Sequence, residues 1–364
     1  MKKRLFFTSM TLCLLVSVFV TAVPVAAKDD HNQVSFIVKA SSQSVYQSIT
    51  TVQSDELFQE IVKATSTPIK DVPFSSHYLL FVENGLVRVL IADENGQLFD
   101  VQQKRKINVK PRTAQLITGH FKTLQSDHFG TMLTWEEATK MIPKYTSFKI
   151  TDLETGLSFN AQRRAGSKHA DVQPLTHQDT KIMKAIYGGK WSWNRRAILV
   201  HVNNQVLAAS MHGMPHGKGA LANGFPGHFC IHFQGSTTHR SKNTDLAHQV
   251  MAHKAAGQLN LFTKQLSAEK VIELFLIAIH QKDTDILSLI YQGDAHSIPI
   301  DQIVAIRKMD KKHKPVKEKP FIYQIPVTYK YQTKDGPIIE ETFLFTVMRK
   351  SPTDEWKLVH VPFH

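Results

Sequence analysis

Residues 212 to 233 read HGMPHGKGALANGFPGHFCIHF and bring four histidines, five glycines and Cys230 into one short stretch. A thiol beside an imidazole is the pairing that makes cysteine a nucleophile, because the histidine lowers the thiol pKa and takes its proton. His212, His216 and His228 are the candidate bases. The same residue types also ligate metals, histidine most often of all. A third reading keeps Cys230 as a small buried hydrophobe. Alternation sharpens the choice: in an extended HFCIHF, His228, Cys230 and His232 share one face and Phe229, Ile231 and Phe233 the other. The apolar face is expected in the core and the Cys/His face in a cleft.

The order His212-Gly213, thirteen residues, then Gly227-His228-Phe229-Cys230-Ile231-His232 resembles the L,D-transpeptidases of bacterial cell walls, the YkuD-type fold. That family carries His-Gly on one strand and Ser/Thr-His-Gly-Cys later, then usually a hydrophobe and Arg. The resemblance implies a compact β-sandwich in which Cys230 is the nucleophile and His212 the general base. The carbonyl of Gly213 would orient the base, N–H groups near Phe229 and Cys230 would form an oxyanion hole, and His228 would shape the pocket. His216 is then a bystander or rim residue. Gly227 replaces the family's Ser/Thr, Phe229 its glycine and His232 its arginine, so Phe229 and His232 fall among the substrate-contacting positions. The activity implied is acyl transfer on peptidoglycan stem peptides, without a cofactor.

QRRAGSKHADVQPL (162–175) adds further candidates. Arginine binds carboxylates bidentately, so Arg163 or Arg164 can stand in for the missing family arginine. Adjacent strand residues point opposite ways, so only one of them faces a given cleft. His239, with Arg240, suits a cleft rim. A rival chemistry uses His169, Asp171, His228 and His232 as zinc ligands in a cell-wall peptidase, with Cys230 filling a fourth position. The objection is spacing, since alternate strand residues stand about 7 Å apart, wide for one tetrahedral ion. The non-enzymatic reading is a fold that binds wall polymer without turnover. Trp191 and Trp193 are expected in the core, and His248 and His253 exposed or packed on a helix.

The elements that must position these residues fall into three modules. Residues 1–27 read as a secretory signal peptide: Lys2, Lys3 and Arg4 precede an apolar stretch, and Val25 and Ala27 precede the expected cleavage. The product is expected to be secreted or associated with the cell wall. The length beyond it exceeds one ordinary hydrophobic core. Residues 28–144 are expected to form an α+β module, with a helix over 53–65, two ENG turns between strands and Thr134 capping a short helix. Residues 145–262 are expected to form the YkuD-like β domain, with an Asn-Asn hairpin in RRAILVHVNNQVLAAS and a helix over DLAHQVMAHKAAGQLNLF. Residues 263–364 pair an amphipathic helix capped by Ser267 with three long strand candidates, a pattern that resembles NTF2-like cone-shaped domains. The fold class is thus α+β and multidomain, a central β-sandwich between two α+β modules. A formal net charge of +13 suits anionic wall polymers. No compact Arg/Lys stripe points to nucleic acid. No stretch after the signal approaches the ~18 apolar residues of a membrane span.

Overall fold

The computed structural model describes residues 32–70, 72–238 and 243–363, so the signal-like stretch and His239 lie outside the described residues. The described chain is a mixed α/β protein, mostly β, built on three sheets. The first is wholly antiparallel: β1 (Gln33–Lys39), β2 (Gln47–Gln53), β3 (Ser66–Pro68), β4 (His77–Glu83), β5 (Leu86–Ala92), β6 (Leu98–Asp100) and β7 (Arg105–Ile107). β1 shows clean alternation, burying Val34, Phe36 and Val38, and Phe36 meets Phe121 of a long helix edge to face. That helix, α2 (Pro111–His128), starts with proline in its first turn, where the missing N–H costs nothing. The shorter α1 (Asp55–Val62) takes its N-cap from Ser54.

The second sheet holds β8 (Thr131–Met132), β9 (Ser147–Asp152), β10 (Ser158–Ala165), β11 (Ala170–Pro174), β12 (Arg195–Val202), β13 (Gln205–His212) and β14 (Phe229–His232). The expected sandwich is instead a closed ring. The order runs β12-β9-β10-β11-β14-β13 and returns through a β13–β12 pairing, with β8 added parallel to β13. Closure satisfies both edges of every ring strand, which two facing sheets do not. The β12–β13 turn is the expected Asn203-Asn204 pair, both at positive φ. Phe148, Ile150, Phe159, Val172, Ile198, Met211, Phe229 and Ile231 fill the interior. α3 (Trp135–Met141), with a full Thr134/Glu137 capping box, and α4 (His177–Ile186) contribute to the same core. Residues 131–142 therefore pack with the ring.

On the outer side of the ring lies α5 (Leu246–Ala255), followed by α6 (Leu259–Lys264). The continuous helix expected over 245–262 is broken at Gly257, whose positive φ and contact with the Phe129 ring leave no room for a side chain. α7 (Ala268–Gln281), capped by Ser267, and α8 (Thr284–Ile290) split at Lys282, which adopts the left-handed conformation. α7 packs on a curved half-barrel of β15 (Ile303–Lys308), β16 (Lys317–Lys319), β17 (Ile322–Thr333), β18 (Ile338–Met348) and β19 (Lys357–His360). One continuous hydrophobic core joins the first sheet, α5, α7 and the third sheet. No helix among the described residues is long and apolar enough to cross a membrane.

A buried cation knits these layers. Lys254 of α5 reaches Asp283, the cap of α8, at 2.6 Å and Glu154 in the β9–β10 turn at 3.1 Å. Burial alone would lower the Lys254 pKa, but the two carboxylates outweigh it and hold the ammonium charged. Truncating one partner of a buried ion pair strands the other charges. Lys254→Ala is expected to cost about 3–5 kcal/mol in equilibrium denaturation; a loss below ~1 kcal/mol would show the triad contributes little.

His77, stacked on Phe121, and His128, fully buried, both have pKa values lowered to about 4 by burial. Each is neutral in the fold and ordinary, near 6.5, when unfolded. Between those values the unfolded chain binds more protons, so stability is complete above pH 6.5 and falls as pH drops toward 4. The loss amounts to up to about 3 kcal/mol per histidine. His77→Phe, which keeps the stack, should flatten the acid limb of a stability–pH curve.

Candidate functional site: a histidine cluster around Cys230

Side-chain parity on three neighbouring ring strands builds the site. Phe229 and Ile231 of β14, Ala170 and Val172 of β11 and Ala209 and Met211 of β13 point into the ring. Their alternates, Cys230 and His232, His169 and Asp171, and Ser210 and His212, therefore share its outer wall. Register brings them level: Asp171 pairs with Cys230, and Ser210 with His232. α5 covers one side of this wall, where His248 stacks on His232 with ring centroids 3.8 Å apart and hydrogen-bonds Ser210 Oγ at 2.9 Å. The 213–228 loop covers the other. There His216 and His228 exchange both backbone hydrogen bonds, at 3.0 and 2.9 Å, and their rings sit 4.4 Å apart.

Cys230 is the hub. Its Sγ lies 3.3 Å from His216 Nε2 and 3.8 Å from Asp171 Oδ1. That same carboxylate oxygen is 3.3 Å from His169 Nε2 and 3.7 Å from His228 Nε2. Three trios of donor atoms, each within 4.8 Å of one another, share the sulfur: His169/Cys230/His232, His212/His216/Cys230 and Asp171/His228/Cys230.

The outward-facing ring nitrogens fix how the inner ones point. A carbonyl oxygen only accepts, so a ring nitrogen against it carries the proton. Nδ1 of His169 donates to Thr237 O at 2.8 Å, Nδ1 of His216 to Met214 O at 3.1 Å, and Nδ1 of His228 to Lys218 O at 3.2 Å. Where such a ring carries only that proton, its Nε2 lone pair faces the thiol or the carboxylate. Metal-ligating histidines are oriented in this way by backbone carbonyls. His212, only 3% exposed, has an Nδ1 with no hydrogen-bond partner among the described residues. Burial, then Arg195 and the neighbouring histidines, pushes its pKa well down, and burial and His232 do the same to His248. Burial, reinforced by Asp171, pushes the Cys230 thiol up, so the thiol form is favoured in the site as it stands.

The loop is held close by particular residues. Gln173 donates to Gly227 O at 2.8 Å and accepts from Ala220 N at 2.8 Å. Gly227, at φ +124, brings its α-carbon against His216 O, where a Cβ would lie 2.4 Å away. A Cβ on Gly217 would strike the His228 ring at 2.4 Å. His216, His228 and Trp193 form the partly open side. Trp193 is 47% exposed, with its ring 4.7 Å from that of His212 and 5.5 Å from that of His216.

Several sequence expectations change here. His216, expected at the rim, lies 3.3 Å from Cys230 Sγ, and a His212 ring nitrogen lies within 4.8 Å of the same sulfur. Trp193 is exposed at the site, not core; Trp191 packs on Phe225. Phe229 lies inside the ring against Phe159 and Phe225, away from the thiol face. Gly213 donates to Ser192 O and makes room for the Tyr187 ring. Arg163 is buried and fastens α3, donating to Thr139 Oγ1 at 2.7 Å and Ile142 O at 2.8 Å and stacking on Trp135. Arg164 lies over Tyr145. His169, Asp171, His228 and His232 do converge, but split between two trios on either side of Cys230, as the strand spacing requires. His248, expected exposed or packed, is packed at the back of the cluster.

Comparisons with family models, curated proteins and solved structures find no match for the chain. What the protein does must be argued from the cluster itself. Gly227→Ala is expected to cost about 1–3 kcal/mol and to expose the loop; faster proteolytic cleavage within 214–226, with the ring intact, checks this.

Proposed function

We propose that the cluster is a transition-metal centre of the zinc class and that the protein is an exported, metal-dependent hydrolase of cell-envelope peptide or polymer bonds. The observation that carries this is the set of Nδ1–H···O=C bonds of His169, His216 and His228, which hold their Nε2 atoms toward Cys230 and Asp171. Thiolate and imidazole together suit zinc and its neighbours, and carboxylate completes the donor set. A bound ion would supply Lewis-acid activation of water and of a substrate carbonyl. The chain's own contributions are separable. His169, His232 and Cys230 are buried and would anchor the ion. Asp171, which is buried, and His228, which is partly exposed, can accept or return a proton. Trp193 offers a flat apolar wall for substrate. The basic charge, the signal-like N-terminus and the pattern-level likeness to wall transpeptidases motivate the envelope substrate.

One contact favours a second reading, cysteine acyl transfer: the 3.3 Å approach of His216 Nε2 to Cys230 Sγ. In that reading His216 replaces His212 as the base. Burial and then Asp171, however, oppose the free thiolate that the chemistry needs.

Elemental analysis and a chelator separate the two. The metal reading expects zinc-class metal in the purified protein, loss of hydrolysis of peptidoglycan fragments on chelation, a metal content at least tenfold lower in Cys230→Ala, and a reduced content in His169→Ala. It also expects iodoacetamide to label Cys230, which is buried, faster after chelation than before it. Metal-free protein whose Cys230 is labelled faster than free cysteine would overturn it in favour of acyl transfer.

A further inference from the structure

We infer that the centre holds two metal ions joined through the Cys230 sulfur, one between His169 and His232 and one between His212 and His216. This rests on the metal-centre reading above and extends it from one ion to two. The two trios have the same chemistry, two imidazoles and a thiolate, and share only the sulfur. Filling one therefore takes no imidazole from the other. A thiolate keeps lone pairs after binding one ion, so it can bridge without an additional ligand.

Spacing opposes a single ion served by the whole cluster. Donors around one tetrahedral zinc stand within about 4 Å of each other, given Zn–N near 2.0 Å and Zn–S near 2.3 Å. His228, just before β14, and His232, at its end, instead lie on opposite sides of Cys230 along the chain, and no trio found among the described residues contains both. The stack of His232 on His248 holds His232 toward α5, while His216 and His228 are tied together by their backbone bridge on the loop side. One structural device thus organises each side of the sulfur.

His212 supplies an independent sign of an absent partner: its Nδ1 is buried and has no hydrogen-bond partner among the described residues. Burying a polar atom without a partner costs free energy that a ligand would recover. The two positions also differ in access. The His169/His232 side is fully buried, whereas the His212/His216 side adjoins the partly open His216 and the exposed Trp193. The inner ion would brace the wall and the outer one face substrate. Asp171 and the thiolate carry two negative charges against two divalent ions. The remaining positive charge suits hydroxide or an anionic group of the substrate.

The test is cobalt substitution of the full purified protein. Demetallated protein is titrated with Co(II), following sulfur-to-cobalt charge transfer in the near ultraviolet, bound metal by elemental analysis, and magnetic coupling by EPR. Two equivalents per chain, with charge transfer growing through both and the two spins coupled, is the expected result. His232→Ala and His212→Ala should each bind one equivalent and lose the coupling. Cys230→Ser serves as a variant of nearly unchanged size that should lose the charge-transfer band, with circular dichroism confirming that each variant is folded. One equivalent in the wild type, or two without coupling, overturns the bridged pair and leaves a metal centre standing. No binding at all overturns both readings.

Discussion

The pairing of a four-residue strand between two longer ones governs the site. β14 is inserted between β11 and β13, and its register sets Cys230 beside Asp171 and His232 beside Ser210. Because side chains alternate, a slip of one residue would drive the cysteine and histidine into the apolar interior and expose Phe229 and Ile231. The large interior side chains resist such a slip, so hydrophobic packing inside the ring is what aims the polar groups outside it. The site is precise because the wall behind it is apolar.

Closure of the ring adds a second constraint. With no free edge, the three strands that carry the donors cannot splay independently. The flanking pieces then fix what the strands leave undetermined: α5 presses His248 onto His232, and Gln173 holds the 213–228 loop down so that His216 and His228 meet. Lys254, on the same α5, anchors that helix to Glu154 and Asp283. A helix contributing one ring to the cluster is thus pinned one and a half turns later by buried charge, which limits how far the back of the site can move.

Much of this was legible in the residues. The alternation in HFCIHF put Cys230 on a different face from Phe229, and the Asn203-Asn204 turn, the Thr134 and Ser267 caps and the long C-terminal strands follow from local chemistry. What failed was non-local. Nothing in the spacing of HGMPHG says that Gly227 and Gly217 fold the loop back so that His216 joins His212 beside the thiol. The parity of His169, Asp171 and Gln173 in KHADVQP carried the same period-two signal as HFCIHF, but only a pairing partner reveals which face matters. His248 was invisible because its role depends on helix packing. Arg163 looked like a ligand-binding group, yet its partners are Thr139 and Ile142 at the end of α3 and the carbonyls of Ala165 and Gly166, contacts that depend on packing. The sandwich became a ring because closure depends on a single pairing, β12 with β13, between strands already adjacent as a hairpin.

The orphaned nitrogen of His212 has a consequence for the life of the molecule. The cluster's donor atoms come from segments far apart in sequence, so in an unfolded chain there is no site to fill, and any ligand that binds there binds the native state alone. Such linkage adds the ligand's binding free energy to that of the fold. With no ligand there, the chain would keep that buried penalty, open more often, and be the one that proteases remove first. Occupancy of the cluster would then set not only whether the protein works but how long each copy survives.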